Sequence, residues 1–344
     1  MVTTMRKIFL FFLATLLLAQ CGHEGSPSDN RSFSLDDFQR FDVDAFETLL
    51  GNVLKPGIVR VIGDDLVLTV ETFASEMAVV RNLKSAETYR FLTKGRGPGE
   101  CLSIRDVAVY GDSLFFSSIE DNKILAYHLD GDQINYSHDY SYDTWTLRAI
   151  PLPDKGILCL PLWDGRFIRI RDGKTDTLGQ FPKVTGDKKA LNNSSLQSLV
   201  GASPDGKYVC SAYQDIDCIE IYSDEFMSLI RLNGPEQAIP KVKVTETPFG
   251  NSFSVEPSKT TFRGFSSSNA GFVVGYIGQL HTDDDEAIRN IGDLLFFDWE
   301  GNCLKRFHLP EELVYFDIDW NRQRLIGILG GDEPKLVCCP LPLL

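Results

Sequence analysis

Arg105, Arg148 and Arg263 occupy one place in a repeating pattern. Each lies nine positions before a residue, Leu114, Ile157 or Phe272, that opens the second strand of an expected hairpin. A guanidinium group grips a carboxylate or phosphate through two parallel N–H···O bonds. Three of them brought to one point would make an anion site. The same arginines have a plainer use, because acids such as Asp106 and Glu100 could pair with each and hold the structure together. Trp145 and Trp163 fall near the second arginine and could add an aromatic wall, or simply pack.

Other chemistry is sparse. The five histidines are His23, His128, His138, His281 and His308. None sits in a zinc-protease pattern, and no nucleophile elbow or paired cysteine–histidine arrangement is present. Asp106, Asp317 and Asp319 fall on expected inner strands and could join a divalent-metal site. Acidic residues at strand ends more commonly form turns or ion pairs. The acidic run HTDDDEAIRN, residues 281–290, lacks both the ligand spacing and the central glycine of an EF-hand loop, and reads as a solvated loop. No catalytic residue, metal or cofactor is indicated.

GRGPGE, residues 95–100, resembles a phosphate-binding loop at first sight. A dinucleotide fingerprint needs glycine at its first, third and sixth positions and then a helix. Gly95 and Gly97 fit, but the sixth position is Glu100, and the following CLSIRDVAVYGD reads as another strand. The Gly-Lys-Ser/Thr of a P-loop is missing. Gly95, Gly97, Pro98 and Gly99 are therefore expected to form a structural connection, with contact to a ligand as the other use. Glycine allows close backbone approach and positive φ, and proline stiffens the turn.

The elements that would position these residues are short and repeated. VRVIGDDLVLT (59–69) matches VAVYGDSLFFS (107–117) in its apolar positions and its Gly-Asp turn. Alternation on both sides of such a turn marks a β-hairpin. Looser copies begin at 147, 199, 262 and 315, and a second hairpin follows each except the last. Six units of four strands, spaced by about 40 to 60 residues, describe an all-β, six-bladed β-propeller. The sixth unit lacks its fourth strand. A strand from residues 31–43, pairing near 335–339, is expected to close the ring.

Arg6 and Lys7 precede an apolar run, Ile8–Ala19, too short to cross a bilayer. Residues 1–20 read as a secretory signal. Cys21 after Leu-Ala-Gln resembles a lipobox cysteine, although Gln20 is larger than usual; an ordinary cleaved signal is the other reading. Residues 21–30 are polar and read as a tether, with the propeller spanning 31–344. The formal net charge of −14 becomes −16 without residues 1–20, which hold two basic and no acidic residues. That argues against nucleic acid, whose phosphates require a basic footprint. It also argues against a polybasic membrane-binding face. The seven cysteines after Cys21 show no metal-ligand spacing and read as buried thiols. Cys210 and Cys218 could face each other across one hairpin.

FLTKGRGPGECLSIRDVAVYGDSLFFSSIEDNKILAYHLDG resembles an NHL-type propeller repeat, matching it at Gly95, Gly97, Pro98, Gly99 and Glu100, at 107–109, and at Asn122, Ile124, Tyr127, Asp130 and Gly131. Cys101 departs from that pattern, which has an apolar or aromatic residue there. With the lipobox, the chain is similar to the TolB-like six-bladed propeller lipoproteins of Bacteroidetes. The resemblance implies a lipid-anchored cell-envelope protein and brings no catalytic residue with it. The expected function is a non-enzymatic, monomeric binding scaffold for an envelope protein, peptide or glycan. A lactonase- or lyase-like enzyme with a channel metal, and a purely structural lipoprotein, are the alternatives.

Overall fold

The strands divide by the company their faces keep. Leu66–Val70 and Ile157–Pro161 are buried at every position, whereas Lys174–Leu178 is almost wholly exposed. Strands covered on both faces read as continuous apolar runs, and those at a rim read as polar. This gradient is what four-stranded sheets give when they stand face to face in a ring. The computed structural model describes residues 28–342, apart from 52, 54, 55, 72, 132, 154, 155, 164, 224, 236–238, 249, 257, 258 and 281–289. Cys21, the signal and almost all of the acidic run therefore lie outside the described residues.

Blade 1 comprises Ile58–Val61, Leu66–Val70, Glu76–Asn82 and Thr88–Thr93. Blade 2 is Asp106–Tyr110, Ser113–Ser118, Lys123–Asp130 and Gln133–Ser141; blade 3 is Thr146–Pro151, Ile157–Pro161, Phe167–Arg171 and Lys174–Leu178. Ser198–Ala202, Tyr208–Tyr213, Cys218–Ser223 and Leu229–Asn233 form blade 4. Blade 5 has Lys259–Ser268, Gly271–Leu280 and Ile291–Phe297, and the long strand Cys303–Asp319 ends it and begins blade 6. Arg324–Leu329 and Lys335–Pro340 continue blade 6. Neighbouring strands within each blade are antiparallel.

Every junction between blades holds an apolar cluster. Leu68 and Val80 meet Phe116 and Tyr127 between blades 1 and 2, and Val59 and Val67 meet Ile326 and Ile328 between blades 1 and 6. The last junction shows that the ring is shut. Its missing strand comes from the N-terminal side, but from Glu47–Leu50, antiparallel to Lys335–Pro340. The expected segment, 31–43, lies elsewhere. Ser28–Ser32 runs parallel to Leu229–Asn233 at the rim of blade 4, and Gln39–Asp42 runs parallel to the Cys303–Asp319 strand at the rim of blade 5. Ser28, Asp29 and Asn30, read from sequence as tether, thus belong to a strand.

The reason is aromatic. Phe33 and Phe38 pack edge-on against Phe297, with ring centroids 5.3 and 5.1 Å away, and Phe41 stacks on Phe307 at 5.5 Å. Alternation marked residues 31–43 as extended chain, and outer strands offer unpaired N–H and C=O groups to any such chain. A second difference is an insert. Thr185–Gly186, Lys241–Thr247 and Gly250–Glu256 form a small sheet whose strands bracket blade 4 in sequence.

Candidate functional site

The first strands of blades 1 to 5 each end their sheet, so one edge of each is unpaired and faces the ring axis. Around that axis lies a cavity of about 490 Å³, lined by residues of all six first strands. That size suits a small ligand.

Arg105, Arg148 and Arg263 all line this cavity, and Arg60 from blade 1 joins them. Asp106 is the main counter-charge. It accepts from Arg148 and, at 3.3 Å, from Arg60, whose Nε also donates to the Val107 carbonyl at 2.8 Å. Asp317 accepts from the Val61 N–H at 2.8 Å, and its burial pushes its carboxyl above the ordinary range. The Arg263 guanidinium stands over the Tyr315 ring at 5.2 Å. Arg105 precedes the blade 2 strand and is exposed. No carboxylate among the described residues lies within ion-pair distance of it. Desolvation and then the charge of Arg148 push its guanidinium below its usual value. The cavity thus holds four guanidinium groups against two carboxylates.

Sequence spacing missed Arg60, because blade 1 places Gly57 nine residues before Leu66. A signal was available in its position as the one polar side chain in Ile58–Val61. Asp319 does not line the cavity; it pairs with Arg324 at 2.9 Å. His128 and His138 are exposed on the third and fourth strands of blade 2, and His308 lies 3.2 Å from Asp293. Cys210 and Cys218 are free thiols, as are the other described cysteines.

Connectivity fixes what surrounds the mouth. In an antiparallel four-stranded blade, the start of strand one, the loop between strands two and three, and the end of strand four share one end. Phe73, 91% exposed, occupies the loop between the second and third strands of blade 1. Trp163, 49% exposed, is in the same loop of blade 3, and Trp145, 81% exposed, directly precedes its first strand. The Leu162 N–H donates to the Trp145 carbonyl at 3.0 Å, which ties the two tryptophan-bearing loops together. Trp163 rests edge-on against Phe253 of the insert at 5.5 Å. Arg105, at the entrance to its strand, shares this end. Asp215, in the corresponding loop of blade 4, has its carboxyl pushed up to about 6 by burial.

The GRGPGE connection also lies at this end, folded on itself. The Gly97 N–H donates to the Glu100 carboxylate at 2.8 Å, and the Glu100 N–H donates to the Gly97 carbonyl at 3.1 Å. A β-carbon on Gly95 would overlap that carboxylate. Gly99 has φ +71°, and its carbonyl accepts from Tyr127 Oη at 2.9 Å beneath it. Glu100 thus takes an N–H that an anion would otherwise use, and it is turned to its own loop instead of to Arg105.

The sequence matches the TolB-like 6-blade propeller-like family over residues 83–321. Among curated proteins none matches the chain. Among solved structures, a member of the DUF4221 family from Bacteroides vulgatus is 8% identical, with a TM-score of 0.56 over 87% of this chain and 94% of that one. A protein from Bacteroides fragilis described as exported is 13% identical, with a TM-score of 0.49 over 90% of this chain and 99% of that one. A catalytically inactive virginiamycin B lyase from Staphylococcus aureus, solved with quinupristin, is 12% identical, with a TM-score of 0.45 over 87% and 90%. At these identities the likeness is one of fold alone. Six blades closed around an arginine-lined channel, and the match over residues 83–321, place the sequence: this chain belongs to the TolB-like 6-blade propeller-like family.

Proposed function

We propose that this propeller is a non-enzymatic binding scaffold of the cell envelope, lipid-held at Cys21, which presents the face around the channel mouth to its ligand. One observation carries the reading: the exposed aromatics Phe73, Trp145 and Trp163 share one end of the ring with Arg105, at the entrance to the arginine-lined cavity. Exposed large apolar side chains gathered on one surface mark interaction sites. The envelope location is supported by the signal-like residues 1–20 and the lipobox-like cysteine.

The competing enzyme reading needs channel carboxylates for a metal. Here Asp106 is taken by Arg60 and Arg148, and Asp319 by Arg324. That engagement favours binding over catalysis. Capture of solubilised envelope components on the full chain tests the reading, against a variant carrying Phe73→Ser, Trp145→Ser and Trp163→Ser. Ligands held by the parent and lost from the variant are expected; equal capture by both would overturn it. A stoichiometric divalent metal in the purified protein would favour the enzyme. Cys21→Ser should shift the protein out of the detergent phase, and unchanged partitioning would remove the anchor from the proposal.

A further inference from the structure

Three features of the channel specify a ligand more narrowly than a binding face does. The first is charge. Asp106 is shared by Arg60 and Arg148, whereas Arg105 has no ion-pair partner among the described residues and is crowded by the charge of Arg148. Walls of low dielectric focus such a field on the cavity even though the protein as a whole is acidic. Asp106 offsets part of that crowding without pairing with Arg105, and an anionic group placed beside Arg105 would relieve the rest.

The second feature is backbone. No strand pairs with the axis-facing edges of the first strands of five blades, although Asp317 takes the Val61 N–H and Arg60 the Val107 carbonyl. A strand edge offers N–H donors and C=O acceptors in alternation. Hydroxyl groups serve as donor and acceptor at once, so a polyhydroxylated molecule matches such a wall. A hydrocarbon would leave those groups unsatisfied, at a cost. Ser266, Ser267, Gly201 and Gly264 continue the wall, beside aromatic side chains such as Phe265 and Tyr315.

The third feature is at the mouth. Trp145 and Trp163 lie on tied loops, and Trp163 is steadied from one edge by Phe253. Indole faces exposed at a polar opening suit the C–H faces of sugar rings, which are apolar on the ring and polar at its rim.

We propose that the channel binds a carboxylate-bearing saccharide, a uronic acid or an oligosaccharide ending in one. The carboxylate lies at Arg105 beside the Arg148 pair, the hydroxyls lie along the strand edges, and the following sugar rings lie against the mouth tryptophans. This rests on the scaffold reading and narrows it to one ligand class.

Calorimetric titration of the full chain with a uronate-terminated oligosaccharide, its neutral counterpart and an acidic peptide tests the proposal. The uronate is expected to bind and to be recovered unchanged, and the neutral sugar to bind at least about 10-fold more weakly, as loss of hydrogen bonds to a charged group implies. Arg105→Gln should weaken the uronate by a similar factor. Trp145→Ala should weaken the oligosaccharide but not the uronate monosaccharide. Arg96→Gln, on the same face but outside the cavity, should change affinity less than twofold. Circular dichroism of each variant confirms that it is folded. Absent or equal binding of the acid and neutral sugars, insensitivity to Arg105→Gln, or binding of the acidic peptide in their place would each overturn the proposal. Cleavage of the saccharide would overturn the non-enzymatic reading instead. Envelope capture that depends on the mouth aromatics, with no saccharide binding, would leave the scaffold standing and remove only its sugar ligand.

Discussion

Two arginine clusters in this molecule use the same chemistry to opposite ends. Between blades 3 and 4, Arg166 is 1% exposed and Glu220 is fully buried. Arg166 donates to Asn193, to Ser198 at 2.8 Å and to Ser211, with its Nε 3.8 Å from Glu220. It also stands over the rings of Phe167 and Tyr213 at 4.4 and 4.7 Å. Glu220 accepts from Tyr213 and Tyr222 at 2.7 and 2.8 Å, and from Arg231 at 2.6 and 3.0 Å. Asn193 comes from the long connection before blade 4 and donates back to the Pro161 carbonyl at 2.8 Å. In the channel, by contrast, one aspartate serves two arginines, a third arginine has no ion pair among the described residues, and all open to a cavity. A charge buried without partners is very costly, so the inter-blade cluster surrounds its two charges with protein donors and acceptors. A site that must receive a ligand leaves donors in surplus where water can hold them until the ligand arrives.

Both clusters presuppose a shut ring, so the largest effect should come from its clasp. Deletion through Asp42 removes the rim strands with Phe33, Phe38 and Phe41, and should lower the melting temperature. Each fully buried aromatic contributes about 1.5–3 kcal/mol. Deletion through Leu50 also removes the strand that closes blade 6 and should abolish cooperative unfolding. Equal melting of the two truncations would show that Glu47–Leu50 is not the clasp.

Next comes Glu220→Gln, which leaves the buried Arg166 and the half-buried Arg231 without their anion. It should cost about 3–5 kcal/mol in denaturant unfolding. Asp106→Asn is the matching change in the channel. Its arginines keep access to water, so the loss should be only about 1–2 kcal/mol. Binding of a uronate should tighten, because the variant frees Arg148. If the two losses were equal, the contrast between an enclosed cluster and an open one would fail.

Asp215 lies between the two regions, in the loop from Gln214 at the cavity to Cys218 at the head of the Glu220 strand. Its folded pKa of about 6 stands above the ordinary 3.8 because burial disfavours the charged form. Its contribution to stability is therefore fully present below about pH 3.8 and is lost as pH rises through about 6. Asp215→Asn should accordingly raise the melting temperature near neutral pH, with the gain vanishing toward about pH 4. A pH-independent gain would show that the carboxyl titrates normally. Smallest of all, Arg105→Gln should change stability by no more than about 0.5 kcal/mol. A larger loss would give Arg105 a structural role.

The sequence by itself determined the repeat. Alternation and turn residues placed six blades, and apolar second strands such as LVLTV and ILCLP announced burial on both faces. Those signals are local, since period and turn chemistry act over a few residues. Equal spacing from the second strands likewise carried Arg105, Arg148 and Arg263 to one cavity, because equivalent positions in a ring face one axis. Only the tertiary structure decided partnerships. Residues 31–43 read as extended, but which rim they would join depended on Phe297 and Phe307, more than 250 residues away. Arg60 joined the cavity through the Val107 carbonyl and Asp106 of the next blade, and Glu100 turned to its own glycines instead of to Arg105. Which acid satisfies which base is settled by distances across blade junctions, and a pattern read along one strand holds no record of them.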